Sequence, residues 1–434
     1  MTFCKKIVSG MLKTAGVVLA SSLIATQAFA GWSVSGTQVI DPNGSNFIFR
    51  GVNFPYAWFT SKTTQGLKDI AATGANSARI VLQNGTQGGT RSSGSDISNI
   101  ISQCKANKLV CILEVHEATG WGDNANATTI SQAADYWVSS DIKSAIVGQE
   151  NYVIVNIANE PFGGNVSAST FVNDTSNAIK KLRNAGLTHL IMIDGPGWGQ
   201  DPSYYMRDNA PTLYNADTLH RLVFSVHMYE VYNNASRIQQ YLSSFQSKGY
   251  ALVIGEFGTE NNGANVDETS IMQYARDYGI GYLGWSWSGN GSCCTKLDIV
   301  NNFVASSYTT WGNFLVNSSN GIKATSKLAS NFGGNSSGGT TTVDQCNWYG
   351  TKYPICNNSN NGWGWENNTS CVGRSSCTAL PSPYGVVKAP TQCNWYGKTY
   401  ALCKNTSSGW GWENNQSCVA PADCAALKAP NGPY

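Results

Sequence analysis

Residues 152–162 read Tyr-Val-Ile-Val-Asn-Ile-Ala-Asn-Glu-Pro-Phe. The first half is a β-branched apolar run with no helical period, the pattern of a short strand buried on both faces. It stops abruptly at Asn159, Glu160 and Pro161. Proline cannot continue a hydrogen-bond ladder, so Glu160 is aimed out of the sheet, beyond the strand's C-terminal edge. A solvated loop glutamate would explain this tripeptide on its own equally well. A second stretch of the same design shifts the balance, because Leu252-Val253-Ile254-Gly255 leads into Glu256. Two glutamates at the ends of separate buried strands suit the cleavage of a glycosidic bond, in which one protonates the leaving oxygen and the other attacks or activates water.

Around this pair, residues 31 to about 332 alternate strand-like apolar runs with longer amphipathic stretches, which implies a parallel sheet wrapped by helices. Strands are predicted at Phe47–Phe54, Ser77–Leu82, Val110–His116, Tyr152–Asn159, Leu190–Asp194, Leu222–Met228, Leu252–Glu256 and Tyr282–Trp287. Eight such runs fit a closed (β/α)8 TIM barrel, for which about 250 residues is typical. An open doubly wound sheet is the competing α/β arrangement, but no glycine-rich phosphate loop follows the first strand. Residues 31–40 read as a short strand and turn ahead of the barrel, a hairpin closing its bottom.

The flanks of this domain read differently. Lys5 and Lys6, an apolar stretch from Ala15 to Ile24 and then Ala28-Phe29-Ala30 form a basic region, a short apolar core and a small-x-small site. Residues 1–30 are therefore expected to be a signal peptide for secretion, cut after Ala30. Cys4 precedes the apolar core and does not read as a lipid-attachment cysteine. No later segment has the unbroken length of a membrane helix, so a soluble mature chain is expected, passing through the periplasm to the outside. Charged residues are 12% of the chain and the net charge is +2, which argues against nucleic acid or a membrane surface as partner. The 14 Trp and 20 Tyr point instead to sugar rings, which aromatic faces with polar edges accommodate.

Residues 333–344 are a Gly/Ser/Thr linker by composition, and an internal repeat follows, in units 345–386 and 392–434. Cys346, Cys356, Cys371 and Cys377 recur as Cys393, Cys403, Cys418 and Cys424 at the same spacings. Gln345-Cys346-Asn347-Trp348-Tyr349-Gly350 recurs from Gln392, and Gly362-Trp363-Gly364-Trp365-Glu366 recurs from Gly409. Units this small cannot be held by an apolar core, so two disulfides each are expected in small β-rich modules. Four cysteines allow three pairings, and the sequence does not choose among them.

In a barrel the C-terminal ends of the strands face the active site. Here those ends carry Arg79, His116, Asn159 with Glu160, His227 with Tyr229, Glu256, and Trp285 with Trp287. His116 alone would read as a structural histidine and Trp285 alone as core; their joint appearance on separate strands points to one site. Arg79 near Glu256 would favour the ionised carboxylate that a nucleophile requires, whereas Glu160 must keep its proton and so needs apolar or like-charged surroundings.

These residues, with Gly74-Ala75-Asn76, Val155 to Glu160, Gly197-Trp198-Gly199-Gln200, His227-Met228-Tyr229-Glu230, Ile254 to Gly258 and Gly284 to Trp287, carry a resemblance. Residues 31 to about 332 resemble glycoside hydrolase family 5, and look closest to its bacterial endo-β-1,4-mannanases. The resemblance implies a retaining mechanism with Glu160 as general acid/base and Glu256 as nucleophile. It further implies that Arg79 and Tyr229 hold Glu256, that Asn159 bonds the sugar 2-hydroxyl, that His116 and His227 position the sugar and the acid, and that Trp285 forms the floor under the ring. Retention requires the carboxyl groups about 5–5.5 Å apart.

One stretch departs from the family's pattern. Histidines are expected after the first strand in the mannanase group, where this chain has Asn53-Phe54-Pro55-Tyr56-Ala57-Trp58. These positions are expected to line the cleft away from the reacting bond, which leaves β-1,4-glucan open as the substrate. Cys293-Cys294 reads as a vicinal disulfide, the alternatives being two free thiols or bridges to Cys104 and Cys111, the other cysteines of the barrel.

Each repeat resembles a carbohydrate-binding module of family 10, a cellulose-binding group. Trp363 and Trp365 are two apart and share a face on an extended strand. The resemblance implies stacking platforms made of Tyr349, Trp363 and Trp365, and of Tyr396, Trp410 and Trp412, with Trp348 and Trp395 in the cores. Docking of another protein is the rival reading. The expectation is a monomeric, secreted endo-β-mannanase with β-mannan as substrate and cellulose as anchor. No cofactor is expected, and no metal, since the four histidines lack ligand spacing. The other readings are an endoglucanase or a purely binding protein with a dead barrel.

Overall fold

The computed structural model describes residues 31–332 except 262 and 293, and residues 344–433 except 350, 357–358, 367–368, 383, 389–390, 404–409, 414–415, 426 and 428–431. The expected leader and all but the last residue of the expected linker lie outside the described residues. Eight parallel strands close on themselves in chain order: β1 (Arg50–Phe54), β2 (Ser77–Leu82), β3 (Val110–Val115), β4 (Val153–Asn156), β5 (Ile191–Asp194), β6 (Leu222–Met228), β7 (Leu252–Phe257) and β8 (Gly281–Gly284). Closure is made by β8 on β1, with Tyr282 opposite Arg50 and Gly284 opposite Val52. Each crossover runs through helix, as parallel neighbours require. The helices are α1 (Thr63–Ala72), α2 (Gly94–Ala106), α3 (Ile130–Val138), α4 (Ser140–Ile146), α5 (Ala168–Asn184), α6 (Tyr205–Ala216), α7 (Ala235–Lys248) and α8 (Glu268–Asp277), with α9 (Thr310–Asn317) after the last strand. Among the described residues no helix is long and apolar enough to cross a membrane.

The period of two along each strand sorts its side chains. On β3, Cys111, Leu113 and Val115 join the core shared with the helices, while Val110 and Ile112 join a second core inside the barrel. Ile154, Met192, Val223, Val253 and Leu283 fill that inner core from the other strands. Below it sits the expected N-terminal hairpin, Ser33–Ser35 against Gln38–Ile40, extended by Asn46–Phe47. Trp32, Phe47 and Phe49 plug the base, with ring centroids 4.9 and 5.1 Å apart. The apolar plug therefore occupies the lower layers. The same inward parity brings Glu114, Asn156, Asp194, Ser225 and His227 into the layers above.

Three strands are clearly shorter than the sequence suggested: β1 begins at Arg50 rather than Phe47, which pairs with Val39 in the hairpin below, and β4 and β8 end early. β4 ends at Asn156 because Ile157 N still bonds Met192 O on β5, whereas Asn159 N bonds Val115 O on the opposite neighbour. β8 ends at Gly284 because Trp285 N turns to Phe257 O and Ser286 N to Leu297 O.

Each repeat folds as a small β module. The first pairs Gln345–Trp348 with Thr351–Pro354 and Gly385–Val387, and Trp363–Glu366 with Thr369–Val372. The second repeats this with Gln392–Trp395, Lys398–Leu402, Trp410–Glu413, Gln416–Val419 and Gly432–Pro433. Of the three possible pairings, both modules use first with fourth and second with third: Cys346–Cys377 and Cys356–Cys371, then Cys393–Cys424 and Cys403–Cys418. In the barrel, Cys104 and Cys111 are buried free thiols with sulfurs 2.9 Å apart. Cys294 is disulfide-bonded; the vicinal bridge expected for it rests on Cys293, which lies outside the described residues.

Candidate active site

The upper layers of the barrel are organised on Arg79. Its side chain is fully buried, and it donates from Nε to Asn156 Oδ1 (2.7 Å), from Nη1 to Asn53 Oδ1 (2.9 Å) and Glu256 Oε1 (2.7 Å), and from Nη2 to Asn159 Oδ1 (2.7 Å) and Asp194 Oδ2 (3.1 Å). Burial alone would favour losing the proton, but Asp194, Glu114 and Glu256 outweigh it and raise the guanidinium's pKa further. Five donors in a rigid fork thus meet five acceptors from the ends of four strands, β1, β4, β5 and β7, with β4 supplying two.

Glu256 receives its second donor from Tyr229, whose hydroxyl gives to Oε2 at 2.9 Å. The carboxylate is clamped through both oxygens and is still part of the cleft wall. Glu160 faces it. One oxygen of each glutamate and one nitrogen of His227 all lie within 4.8 Å of one another. The backbone at Glu160 is left-handed, φ +39°, a conformation that is costly for a side chain of this kind. Glu160 N donates to Asp194 Oδ2 (3.2 Å) and its carbonyl accepts from Gly120 N (2.9 Å), which hold it there.

His227 joins the two carboxyl groups. Its Nδ1 is 2.8 Å from Glu160 Oε1 and 3.6 Å from Glu256 Oε2, and its Nε2 is 3.2 Å from Asp194 Oδ2. Burial opposes a charge on this ring, yet Glu256, Asp194 and the bond to Glu160 raise its pKa to about 10. Burial raises the pKa of Glu160 above the ordinary 4.5, against the pull of His227. Against burial, His227 and Arg79 hold Asp194 below the usual carboxylate range. Neighbouring carboxyl groups are thus pushed in opposite directions, the arrangement that separates a proton donor from permanent anions.

The cleft above these groups has a volume of about 620 Å³. On one wall the rings of His116 and Trp285 stack, centroids 5.7 Å apart and 21° between planes, and the ring of Trp58 stands at 85° to that of His116, centroids 5.1 Å apart. His116 is fixed by Glu114 (Nδ1 to Oε1, 2.9 Å), which also raises its pKa despite burial. Trp285 donates from Nε1 to Asn290 Oδ1 (3.0 Å). Asn159 gives one amide proton to Thr119 Oγ1 (2.9 Å), leaving the other for the cleft. The opposite wall holds Trp198, Gln200, Glu230 and Asn261.

Of the nine strand-end residues singled out from the sequence, eight meet at this one mouth, and Trp287 is buried in the core shared with the helices. The stretch Asn53–Trp58 divides: Asn53, still on β1, is fully buried and bonded to Arg79 rather than lining the cleft, whereas Trp58 is half exposed beside His116. Sequence reasoning missed Asp194, Glu114 and Asn156. Asp194 ends a predicted strand in a carboxylate, the same signal that singled out Glu160 and Glu256. Glu114 and Asn156 lie inside the strands predicted from sequence, where only the parity of the inward face marks them.

In the modules, Trp348 and Trp395 are partly buried against the disulfide cores, as expected. Trp363 packs edge-on against Trp348 (5.1 Å) and Tyr353 (4.8 Å), and Trp410 likewise against Trp395 (5.2 Å) and Tyr400 (4.7 Å). Both remain about half exposed, Tyr349 is exposed, and Tyr396 and Trp412 are 70% and 69% exposed. The side chain of Trp365 lies outside the described residues. Aromatic faces are thus open on both modules.

Residues 40–291 match the cellulase family, glycosyl hydrolase family 5. Residues 345–373 and 392–420 each match a cellulose or protein binding domain. The chain is 50% identical over 384 residues to a mannan endo-1,4-beta-mannosidase of Cellvibrio japonicus (strain Ueda107), covering 87% of each. It is 47% identical over 361 residues to a mannan endo-1,4-beta-mannosidase of Streptomyces lividans, covering 81% of this chain and 91% of that one. The mannohexaose complex of Thermomonospora fusca beta-mannanase is similar in structure, with a TM-score of 0.67 and 43% identity, covering 70% of this chain and 100% of that one. A closed parallel barrel, two glutamates facing each other at its mouth and a match that spans most of the barrel lead to one conclusion: the chain belongs to glycosyl hydrolase family 5.

Proposed function

We propose that the protein is an endo-β-1,4-mannanase acting by double displacement with retention, secreted and held on plant cell wall by two cellulose-binding modules. The observation that carries the mechanism is the approach of Glu160 and Glu256 to within 4.8 Å. An approach this close supports the separation of about 5–5.5 Å that retention uses over the roughly 6.5–9.5 Å of inverting enzymes. The substrate follows from the two mannan-cleaving relatives, which match over most of their length.

In the first step Glu160 gives its proton to the glycosidic oxygen as Glu256 attacks the anomeric carbon; the C–O bond breaks and a glycosyl ester forms. Glu160, now ionised, then takes a proton from water, whose oxygen attacks the same carbon and releases Glu256. Arg79 and Tyr229 hold Glu256 in line, and the charged His227 orients Glu160 through Oε1. Asn159 reaches the 2-hydroxyl with its remaining amide proton, and His116 on Trp285 forms the seat of the reacting sugar. The domain plan proposed with this is a leader over residues 1–30, a catalytic domain over 31–332, a linker over 333–344 and modules at 345–386 and 392–434.

A second reading is a β-1,4-glucanase of the same mechanism, favoured by the missing histidines after β1. The test incubates the full chain with linear mannan, carboxymethyl-cellulose and xylan, counts new reducing ends and uses Glu256→Ala as control. Release from mannan, abolished in the variant, is expected. Release mainly from the cellulose derivative would make the protein a glucanase, and silence on all three would leave only a binding role.

A further inference from the structure

Asp194 closes β5 and reaches no sugar, because its side chain is fully buried. It nevertheless touches both the acid and the groups that hold the nucleophile. One oxygen, Oδ2, accepts from Arg79 Nη2 (3.1 Å) and from the backbone N–H of Glu160 (3.2 Å), and stands 3.2 Å from His227 Nε2. Oδ1 accepts from Asn156 Nδ2 (3.1 Å). His227 Nε2 has no other hydrogen-bond partner among the described residues. The segments that crowd the ring at Gly199 and Gly255 bring no side chain to it.

Charge decides what this contact does. Arg79 on β2 and His227 on β6 are buried cations. Facing the His227 ring are Glu160 after β4 (2.8 Å), Asp194 on β5 (3.2 Å) and Glu256 on β7 (3.6 Å), and Tyr229 beyond β6 is bonded to Glu256. Glu114 on β3 is 3.9 Å from Arg79 and is paired with His116. Glu256 and Asp194 match the two cations, so Glu160 is not needed as an anion. With Asp194 uncharged, either the ring would give up a proton or Glu160 would ionise as its partner. Both outcomes take one proton out of the pair, since loss of a buried anion makes every neighbouring acid stronger.

We propose that Asp194 is the positioning residue of the acid: it keeps His227 charged and turned with Nδ1–H on Glu160, and so leaves the proton on Glu160 for the leaving oxygen. The same oxygen of Asp194 holds the left-handed backbone of Glu160, φ +39°, so side chain and main chain of the acid are set by one buried carboxylate. This rests on the proposed function, because it takes Glu160 to be the acid.

The test is the pH dependence of kcat/KM, which reports the acid of the free enzyme, on mannohexaose and on β-mannotriosyl fluoride, whose leaving group needs little protonation. Asp194→Asn keeps the shape and removes the charge. In this variant the fall of hexaose activity at high pH is expected about one pH unit or more lower than in the wild type, a roughly tenfold loss per unit beyond it, with no such shift on the fluoride. Asp194→Glu, which keeps the charge but not the fit, should lose rate on both substrates and leave the pH of the fall unchanged. A fall that stays in place in Asp194→Asn, or a loss equal on both substrates at every pH, would overturn the proposal. NMR titration of wild-type protein labelled at its four histidines asks the same without a variant: both nitrogens of His227 should stay protonated across the active range, and a neutral ring there overturns the proposal as well. A wild type with no fall on the hexaose would remove the acid role of Glu160 and this proposal with it. If the wild-type protein cleaves only cellohexaose and cellotriosyl fluoride, the mannanase reading alone fails, and the same comparison on that pair decides this one.

Discussion

Arg79 spends each of its donors inside the protein, so a sugar entering the cleft finds the Glu256 carboxylate already oriented and has nothing to rearrange. Such fixed dipoles and charges act at the transition state without a reorganisation cost. Residue-level predictions follow from the division of labour. Glu160→Ala should lower kcat/KM on mannan by about 10²–10⁴ and far less on mannotriosyl fluoride, which needs little protonation to depart; Glu256→Ala should silence both. Steady-state kinetics on the two substrates check this. Activity should also fall as pH rises through the elevated pKa of Glu160, because the acid is then ionised. His227 sets a stability window by its own sign. Its pKa rises from 6.5 to about 10 on folding, so its contribution is complete below pH 6.5 and lost as pH rises towards 10. Thermal unfolding across that range should show His227→Gln losing less stability with pH than the wild type. The two glutamates and their neighbours were legible in the sequence because each ends an apolar run. Glu114 and Asn156 were not, because a polar residue inside a strand reveals its role only when the barrel shows which face is inward.

At the scale of elements, the site depends on how closely strands and loops approach the His227 ring. Gly199, at φ +73°, is placed so that a Cβ would come within 2.7 Å of His227 Cγ, and a Cβ on Gly255 would overlap Ser225 Oγ. Gly199 is there for room as much as for backbone freedom, and Gly255 for room alone. Gly199→Ala should therefore destabilise the barrel by about 2–4 kcal/mol, from left-handed strain and overpacking together, and displace the ring that orients Glu160. Urea denaturation combined with the pH profile of hydrolysis would show both effects; a variant with unchanged midpoint would contradict the packing argument. The strands themselves could be read from their apolar runs nearly to the residue. The start of β1 could not, because Phe47 and Arg50 stand in one apolar run shared between hairpin and barrel; nor could the ends of β4 and β8, because Asn159 and Trp285 still look like strand in sequence. Only the distant carbonyls of Val115 and Phe257 take them out of the ladder.

For the whole molecule, the repeats matter as a pair. Two sites joined in one chain raise apparent affinity through effective concentration. Trp363→Ala or Trp410→Ala should each weaken retention on pure cellulose, and the double change should weaken it more than either. A double variant still retained in a pull-down with no other protein present would dismiss these tryptophans as the binding face. Module boundaries and cysteine spacing were plain in the sequence, whereas the pairing was not, since it depends on which strands lie side by side. That pairing is nested: the 346–377 bridge encloses the 356–371 bridge, and 393–424 encloses 403–418. A protease cutting one peptide bond anywhere between 346 and 377 thus releases nothing, because the outer bridge still joins the two pieces. Each module can be nicked inside its outer bridge without being shed.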